Sequence, residues 1–154
     1  MRAWPTDRKE HERASLVDRG ISPGAIVTDV RRVFKTRTFS RWSRKASLSD
    51  SVLCAAVAEM AEGLIEAELG SNLYKKRVPM PGRGKRGGAR TILGSNLDNR
   101  WFFLFGFEKN ERSTMEEPEL AVMRKIAASL LALDATLLDR SVAEGELMEI
   151  CHEK

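Results

Sequence analysis

The sequence has few of the residues that most often carry acid–base or metal chemistry. Its 154 residues include two histidines, two cysteines and one tyrosine. The histidines, His11 and His152, stand near opposite ends of the chain, which argues against a nuclease with paired histidines. No Cys/His cluster suggests zinc and no group of carboxylates suggests magnesium, so we expect neither a metal nor a cofactor.

Long apolar runs are also missing. No stretch resembles a membrane span, and residues 1–29 mix charges of both signs without the apolar core of a signal peptide. Cys54 and Cys151 lack CxxC spacing and stand in apolar stretches, so we interpret them as buried free thiols rather than as a disulfide. These features predict a cytoplasmic protein that does not enter membranes.

The charge of the chain is modest in sum and uneven in distribution. The net charge is +4, but residues 30–46 carry seven basic and no acidic side chains, and residues 75–90 repeat that balance. Between them, residues 47–74 carry five acidic and no basic side chains. This alternation predicts one positive face, and phosphate neutralisation by Lys and Arg supplies most non-specific affinity for nucleic acid.

Hydrophobic periodicity and turn residues predict an α+β domain over residues 30–152, after an N-terminal extension of residues 1–29. The order is roughly β-α-α-β-β-β-α-α-β, a small antiparallel sheet with helices packed on one side. The segment WFFLFGF (101–107) is apolar throughout, which is typical of a central strand. The predicted strands are 30–35, 74–80, 89–97, 100–107 and 146–151, and the predicted helices are 38–46, 50–69, one from about 117, and 135–143.

Within the second helix, Ser49 is the expected N-cap and Gly70 the expected C-terminal stop. Gly63 interrupts the helix, and we interpret it as a position of close packing rather than a break.

The segment PGRGKRGGAR (81–90) holds four glycines and four basic residues. It contains a GxGxxG match, but a strand rather than a helix follows, and Arg86 stands where a P-loop needs Ser or Thr. We interpret it as a long hairpin tip that grips a polyanion, with a solvated charged loop as the alternative. The basic residues continue on the neighbouring strands and their ends, at Lys75, Arg77, Arg90, Lys109 and Arg112.

If such a chain cuts RNA, it does so without metal. The 2′-hydroxyl then attacks its own 3′-phosphate, and basic side chains stabilise the charged transition state. A desolvated lysine crowded by other cations can serve as general base, and Lys85 and Lys109 are the candidates.

Two segments carry a family resemblance: KKRVPMPGRGKRGGARTI (75–92) and FFLFGFEKNERSTMEEPELAVMRKIA (102–127). In their order and separation they resemble the RelE/ParE superfamily of toxins from type II toxin–antitoxin modules, in particular its RelE- and HigB-like branch. The resemblance covers Val30 to about Ile150. It implies a sheet with helices on one side, a basic surface that cuts mRNA in the ribosomal A site, and a cognate antitoxin that covers this surface.

Carried over to matching positions, the resemblance implies catalytic roles for Arg90, Lys85 and Lys109. From the basic pattern and the resemblance together, we expect the residues that bind RNA to be Lys75, Arg77, Arg83, Arg86 and Arg112. Many relatives have a tyrosine or histidine near the C-terminus, whereas the tyrosine of this chain, Tyr74, is on another strand. Phe107 stands where many relatives place tyrosine, and we interpret His152 as a surface residue, so the acid–base assignment stays open.

The sequence therefore predicts a cytoplasmic toxin that acts as a ribosome-dependent mRNA endonuclease, with an antitoxin, mRNA and the ribosome as partners. One alternative is a ParE-like inhibitor of DNA gyrase, and another is a non-catalytic RNA-binding module. Residues 1–29 lie outside the resemblance, which leaves open a start of translation near Val30.

Overall fold

Strands and helices follow one another closely along the chain in the computed structural model. The structure describes residues 30–82, 84–112 and 115–152, with the backbone alone for residues 84–86. The predicted N-terminal extension, residues 1–29, lies outside this range. The strands are β1 (Arg32–Thr36), β2 (Ala67–Gly70), β3 (Leu73–Met80), β4 (Gly84–Ser95), β5 (Arg100–Glu108) and β6 (Leu147–Ile150). The helices are α1 (Arg37–Lys45), α2 (Asp50–Ala61), α3 (Glu117–Leu131) and α4 (Ala135–Ala143).

The described strands form one sheet in the order β2-β3-β4-β5-β1-β6. β1 runs parallel to β5, and the other neighbouring pairs are antiparallel. β5 lies between β4 and β1, which confirms that the apolar segment is a central strand. The α+β class is confirmed as well.

The register of the sheet contains one β-bulge that matters for the site. Leu93 pairs with Phe103 but Ile92 pairs with Phe105, so Leu104 is an extra residue on β5. Beyond the bulge, Arg90 of β4 lies opposite Phe107 of β5.

Most helices begin where a side chain can cap them. The Ser49 hydroxyl accepts a hydrogen bond from the Val52 N–H at 3.3 Å, as predicted, and Thr36 and Asp134 cap α1 and α4 in the same way. α3 begins with a capping box between Glu116 and Glu119.

The second helix is shorter than predicted. It ends at Ala61, and Gly63 follows with φ of +102°, a left-handed conformation that glycine adopts without strain. Nothing lies within 4 Å of a Cβ built on Gly63, so our interpretation of close packing there is wrong. Residues 67–70 form β2 instead of a last helical turn, because the alternation in AELG suits pairing with β3.

Helices lie on both faces of the sheet. The sequence had suggested helices on one side only. A Cβ on Gly106 of β5 would overlap the ring of Trp42 on α1. A Cβ on Gly94 of β4 would lie 2.6 Å from the Ala127 Cβ on α3. Gly94 and Gly106 point to opposite faces by the strand register. We call these the α1–α2 face and the α3 face.

The main core fills the α1–α2 face. Leu53, Val57 and Met60 of α2 pack there with a set of sheet residues that includes Tyr74, Leu93, Trp101 and Phe103. No helix among the described residues has the length and apolar character needed to cross a membrane.

Cys54 and Cys151 form a disulfide, so the prediction of free thiols is wrong. The two cysteines are 97 residues apart in sequence, but both pack against the core of the α1–α2 face. Their pairing joins α2 to the end of β6, and it removes the cysteines as an argument for a cytoplasmic protein.

Candidate nucleic-acid interface

Three strands bring the central residues of the site together on the α3 face. Arg77 of β3 lies opposite Arg90 of β4, which in turn lies opposite Phe107 of β5. Directly opposed residues have Cβ atoms about 4.5–5.5 Å apart, so the two arginine stems are immediate neighbours. The Arg77 side chain is 41% exposed, whereas the Arg90 side chain is only 9% exposed. The sheet register therefore builds a row of two cations and one aromatic ring.

An acidic residue that sequence reasoning missed lies between the two arginines. Glu66 Oε1 is 3.3 Å from Arg90 Nε, and Glu66 Oε2 is 3.7 Å from Arg77 Nη2. Residues 75–90 contain no acid, and Glu66 belongs to the acidic stretch that precedes them, residues 47–74. The carboxylate reduces the repulsion between the two guanidinium groups.

The buried guanidinium of Arg90 is not fully satisfied. Its Nη1 atom is buried and has no hydrogen-bond partner among the described residues. Buried polar groups in folded proteins are nearly always hydrogen-bonded, and a charged donor without an acceptor is especially costly. An anion such as a phosphate would supply the missing acceptor.

Arg112 borders the same row from the segment after β5. Its Nη1 lies 2.9 and 3.0 Å from the two carboxylate oxygens of Glu119, and its guanidinium carbon lies 6.0 Å from the centroid of the Phe107 ring. The hydrogen bond from Arg112 lowers the pKa of Glu119, and the N–H of Glu116 adds to this effect. The same hydrogen bond raises the pKa of Arg112. Arg112 is thereby tied to the start of α3.

The two lysines at the start of the basic segment point to opposite faces. Lys75 lines a small cavity under α3 with Ile92 and Met115, on the face that carries Arg77, as the alternation of side chains along β3 requires. Lys76 is 5% exposed, and its Nζ donates to the Leu64 carbonyl at 2.8 Å and lies 2.8 Å from Glu59 Oε1. Lys76 is therefore a structural residue.

The glycine-rich segment is mostly strand. β4 begins at Gly84 rather than at residue 89, and Gly84 pairs with Met80. The turn that precedes it contains Gly82, whose φ is +75°. Glycine at that position accounts for the tight reversal, so the predicted long hairpin tip is short. Arg83 and the side chains of Lys85 and Arg86 lie outside the described part of the chain.

Lys109 is exposed in the turn after β5. It follows Glu108, which pairs with Ala89, so Lys109 lies at the same end of the sheet as Arg90.

The first basic segment, residues 30–46, does not contribute side chains to this site. Arg37, Arg41 and Arg44 are exposed on α1, which covers the opposite face of the sheet. The prediction of a single positive face is therefore wrong, because the two basic blocks lie on different sides of the sheet.

The acid–base residues that relatives use are not found beside Arg90 among the described residues. Tyr74 is buried in the core of the α1–α2 face. His152 is exposed after β6, an edge strand three positions from β4, which corresponds to roughly 14 Å. In the described ranges, no group of three or more His, Cys, Asp or Glu side chains is placed to hold a metal ion.

The fold and the site define a class of protein: a small α+β domain that carries an arginine cluster across neighbouring strands of its sheet. The family model of the RelE toxin of the RelE/RelB toxin–antitoxin system matches residues 31–150. The chain therefore belongs to the RelE toxin family, and membership implies an antitoxin as its partner. No curated protein matches the chain.

Proposed function

We propose that the chain is a ribosome-dependent mRNA endonuclease that acts in the cytoplasm, where its substrate is translated. The observation that carries the proposal is the pairing of Arg77 with a buried Arg90 whose Nη1 lacks an acceptor among the described residues. Two adjacent guanidinium groups suit a phosphodiester because each offers a planar fork of donors. Family membership supports the same function, since RelE toxins are generally ribonucleases.

The proposed reaction is an intramolecular displacement. The 2′-oxygen attacks the adjacent phosphorus, the bond to the 5′-oxygen breaks, and a 2′,3′-cyclic phosphate and a 5′-hydroxyl result. The proton of the 2′-hydroxyl goes to a base, and the leaving oxygen takes a proton from an acid or from water. Arg90 stabilises the charge that develops on the phosphoryl oxygens. Lys85 and Lys109 are our candidates for the proton transfers.

The remaining basic residues would hold the RNA. These are Lys75, Arg77, Arg83, Arg86 and Arg112. Phosphate contacts of this kind fix position and depend on salt, whereas they carry no sequence information. We further propose that an acidic segment of the antitoxin covers this surface, and that residues 30–152 form the toxin domain with residues 1–29 as an extension.

The test is cleavage of mRNA on programmed ribosomes, with the new ends mapped by primer extension. Wild-type protein should produce ends in the A site, and only when ribosomes are present. Arg90→Ala should abolish them at an unchanged far-UV spectrum. Arg140→Ala removes an exposed arginine from α4 and should cleave like wild type.

Intact mRNA from folded wild-type protein would contradict the proposal. A gyrase supercoiling assay would then test the ParE-like alternative, and salt-dependent RNA binding without cleavage would indicate the non-catalytic module. Full activity of a folded Arg90→Ala variant would contradict the assignment of this residue alone.

A further inference from the structure

The Glu66 carboxylate lies between the two arginines of the cluster, Arg77 and Arg90. Each of its carboxylate oxygens contacts a different arginine, at 3.3 Å for Arg90 and 3.7 Å for Arg77. A carboxylate on a phosphate-binding surface repels the ligand, so its presence weakens RNA binding. A role in cleavage would offset this weaker RNA binding, and the contact of Glu66 with Arg90 indicates such a role.

Two hydrogen bonds with residues of β3 fix the position of Glu66. Its own N–H donates to the Lys75 carbonyl at 3.1 Å, which joins the segment to β3. Two residues earlier, the Leu64 carbonyl accepts from the buried Lys76 ammonium, which also pairs with Glu59 at the end of α2. The connection between α2 and β2 is thus anchored by an ammonium group that is itself removed from solvent.

The contact also determines which donors of the Arg90 guanidinium are left without an acceptor. Glu66 approaches Nε, and Nη1 is the atom without a hydrogen-bond partner among the described residues. Because a guanidinium is planar and rigid, a carboxylate that holds Nε also sets the direction of the Nη1 donors.

We propose that Glu66 is a positioning residue that orients Arg90 toward the scissile phosphate. The inference rests on the proposed nuclease function and adds a residue to its site. It predicts opposite effects of Glu66 on two steps: the carboxylate weakens binding of the RNA and accelerates its cleavage. A purely structural residue would not separate the two.

The test compares Glu66→Gln, which keeps the shape and removes the charge, with Glu66→Asp, which keeps the charge. Glu68→Gln is the matched control, since it removes an equal charge from an exposed position two residues away. Single-turnover cleavage is measured on programmed ribosomes at saturating protein. The Kd is measured by fluorescence anisotropy with a single-stranded RNA oligonucleotide whose riboses are 2′-O-methylated, so that no 2′-hydroxyl can attack.

We expect Glu66→Gln to cleave about 10- to 100-fold more slowly at saturation, the loss typical of a misplaced catalytic group. Its Kd should be equal to or lower than that of wild type. Glu66→Asp should recover part of the rate, and Glu68→Gln should cleave within about twofold of wild type.

The inference is overturned if Glu66→Gln cleaves at the wild-type rate, or if its slower cleavage disappears at saturation because only binding was weakened. It is also overturned if Glu68→Gln slows cleavage equally, since a general loss of charge would then explain the effect. If wild type does not cleave, both the proposed function and this inference are contradicted. If wild type cleaves and Glu66→Gln cleaves equally fast, only this inference is contradicted, so the two failures are distinguishable.

Discussion

Reduction of the Cys54–Cys151 disulfide should lower the stability of the domain substantially. The bond closes a loop with a sequence separation of 97 residues. In the chain-entropy model, a loop of this length reduces the entropy of the unfolded chain by about 16 cal/mol/K, or about 4.7 kcal/mol at 25 °C. Small domains have unfolding free energies of about 5–15 kcal/mol, so the expected loss is a large fraction of the total.

Urea unfolding followed by circular dichroism, with and without a reductant, measures this loss. With an m-value of about 2 kcal/mol/M, the midpoint of the wild type should fall by roughly 2 M on reduction. A Cys54→Ala/Cys151→Ala variant is the control: its midpoint should match that of reduced wild type and be insensitive to the reductant. An unchanged wild-type midpoint, or two titratable thiols in the folded, oxidised protein, would refute the reasoning.

Two further predictions concern packing and pH. Gly94→Ala should destabilise the domain by about 1–3 kcal/mol, because its methyl group would lie 2.6 Å from the Ala127 Cβ. A second change, Ala127→Gly, should recover part of the lost urea midpoint, and no destabilisation by Gly94→Ala would contradict the tight contact. Glu119 has a pKa lowered by its hydrogen bond from Arg112, so this pair stabilises the fold above the ordinary pKa of a glutamate, about 4.3. That contribution is lost as the pH falls through the lowered pKa, so the Tm of Glu119→Gln should be below that of wild type at pH 7 and converge with it in acid. A constant difference in Tm across this range would contradict the assignment.

Elements with strong local signals were predictable from the sequence. Ser49 caps α2 because its hydroxyl precedes an apolar helical pattern, and the central position of β5 follows from a segment without polar residues. The helix over residues 135–143 matches its predicted bounds, with Gly145 at φ of +79° after its end. In each case the signal that indicates the element lies within a few residues of sequence.

Features that depend on distant parts of the chain were not predictable. The disulfide requires α2 and the end of β6 to meet at one core, and the ion pair of Glu66 with Arg90 requires the path from α2 to β2. The end of α2 is a different case, because Gly63 and the alternation that follows it were visible in the sequence. The helical spacing of Leu64 and Leu69 favours a longer helix, but the left-handed conformation of Gly63 ends it.

The extra residue in β5 changes which face of the sheet the later residues of this strand point to. Before Leu104, Phe103 contributes to the core beneath α1 and α2, whereas two positions beyond the bulge Gly106 faces Trp42 and Phe107 joins Arg90. Because of this one inserted residue, β5 places Phe103 in the core of the α1–α2 face and Phe107 beside Arg90 on the α3 face. If Leu104 instead paired with Ile92 in a regular register, Phe105 would lie opposite Thr91, in the space that Gly106 leaves for the Trp42 ring, and Phe107 would lie opposite Ala89 rather than Arg90.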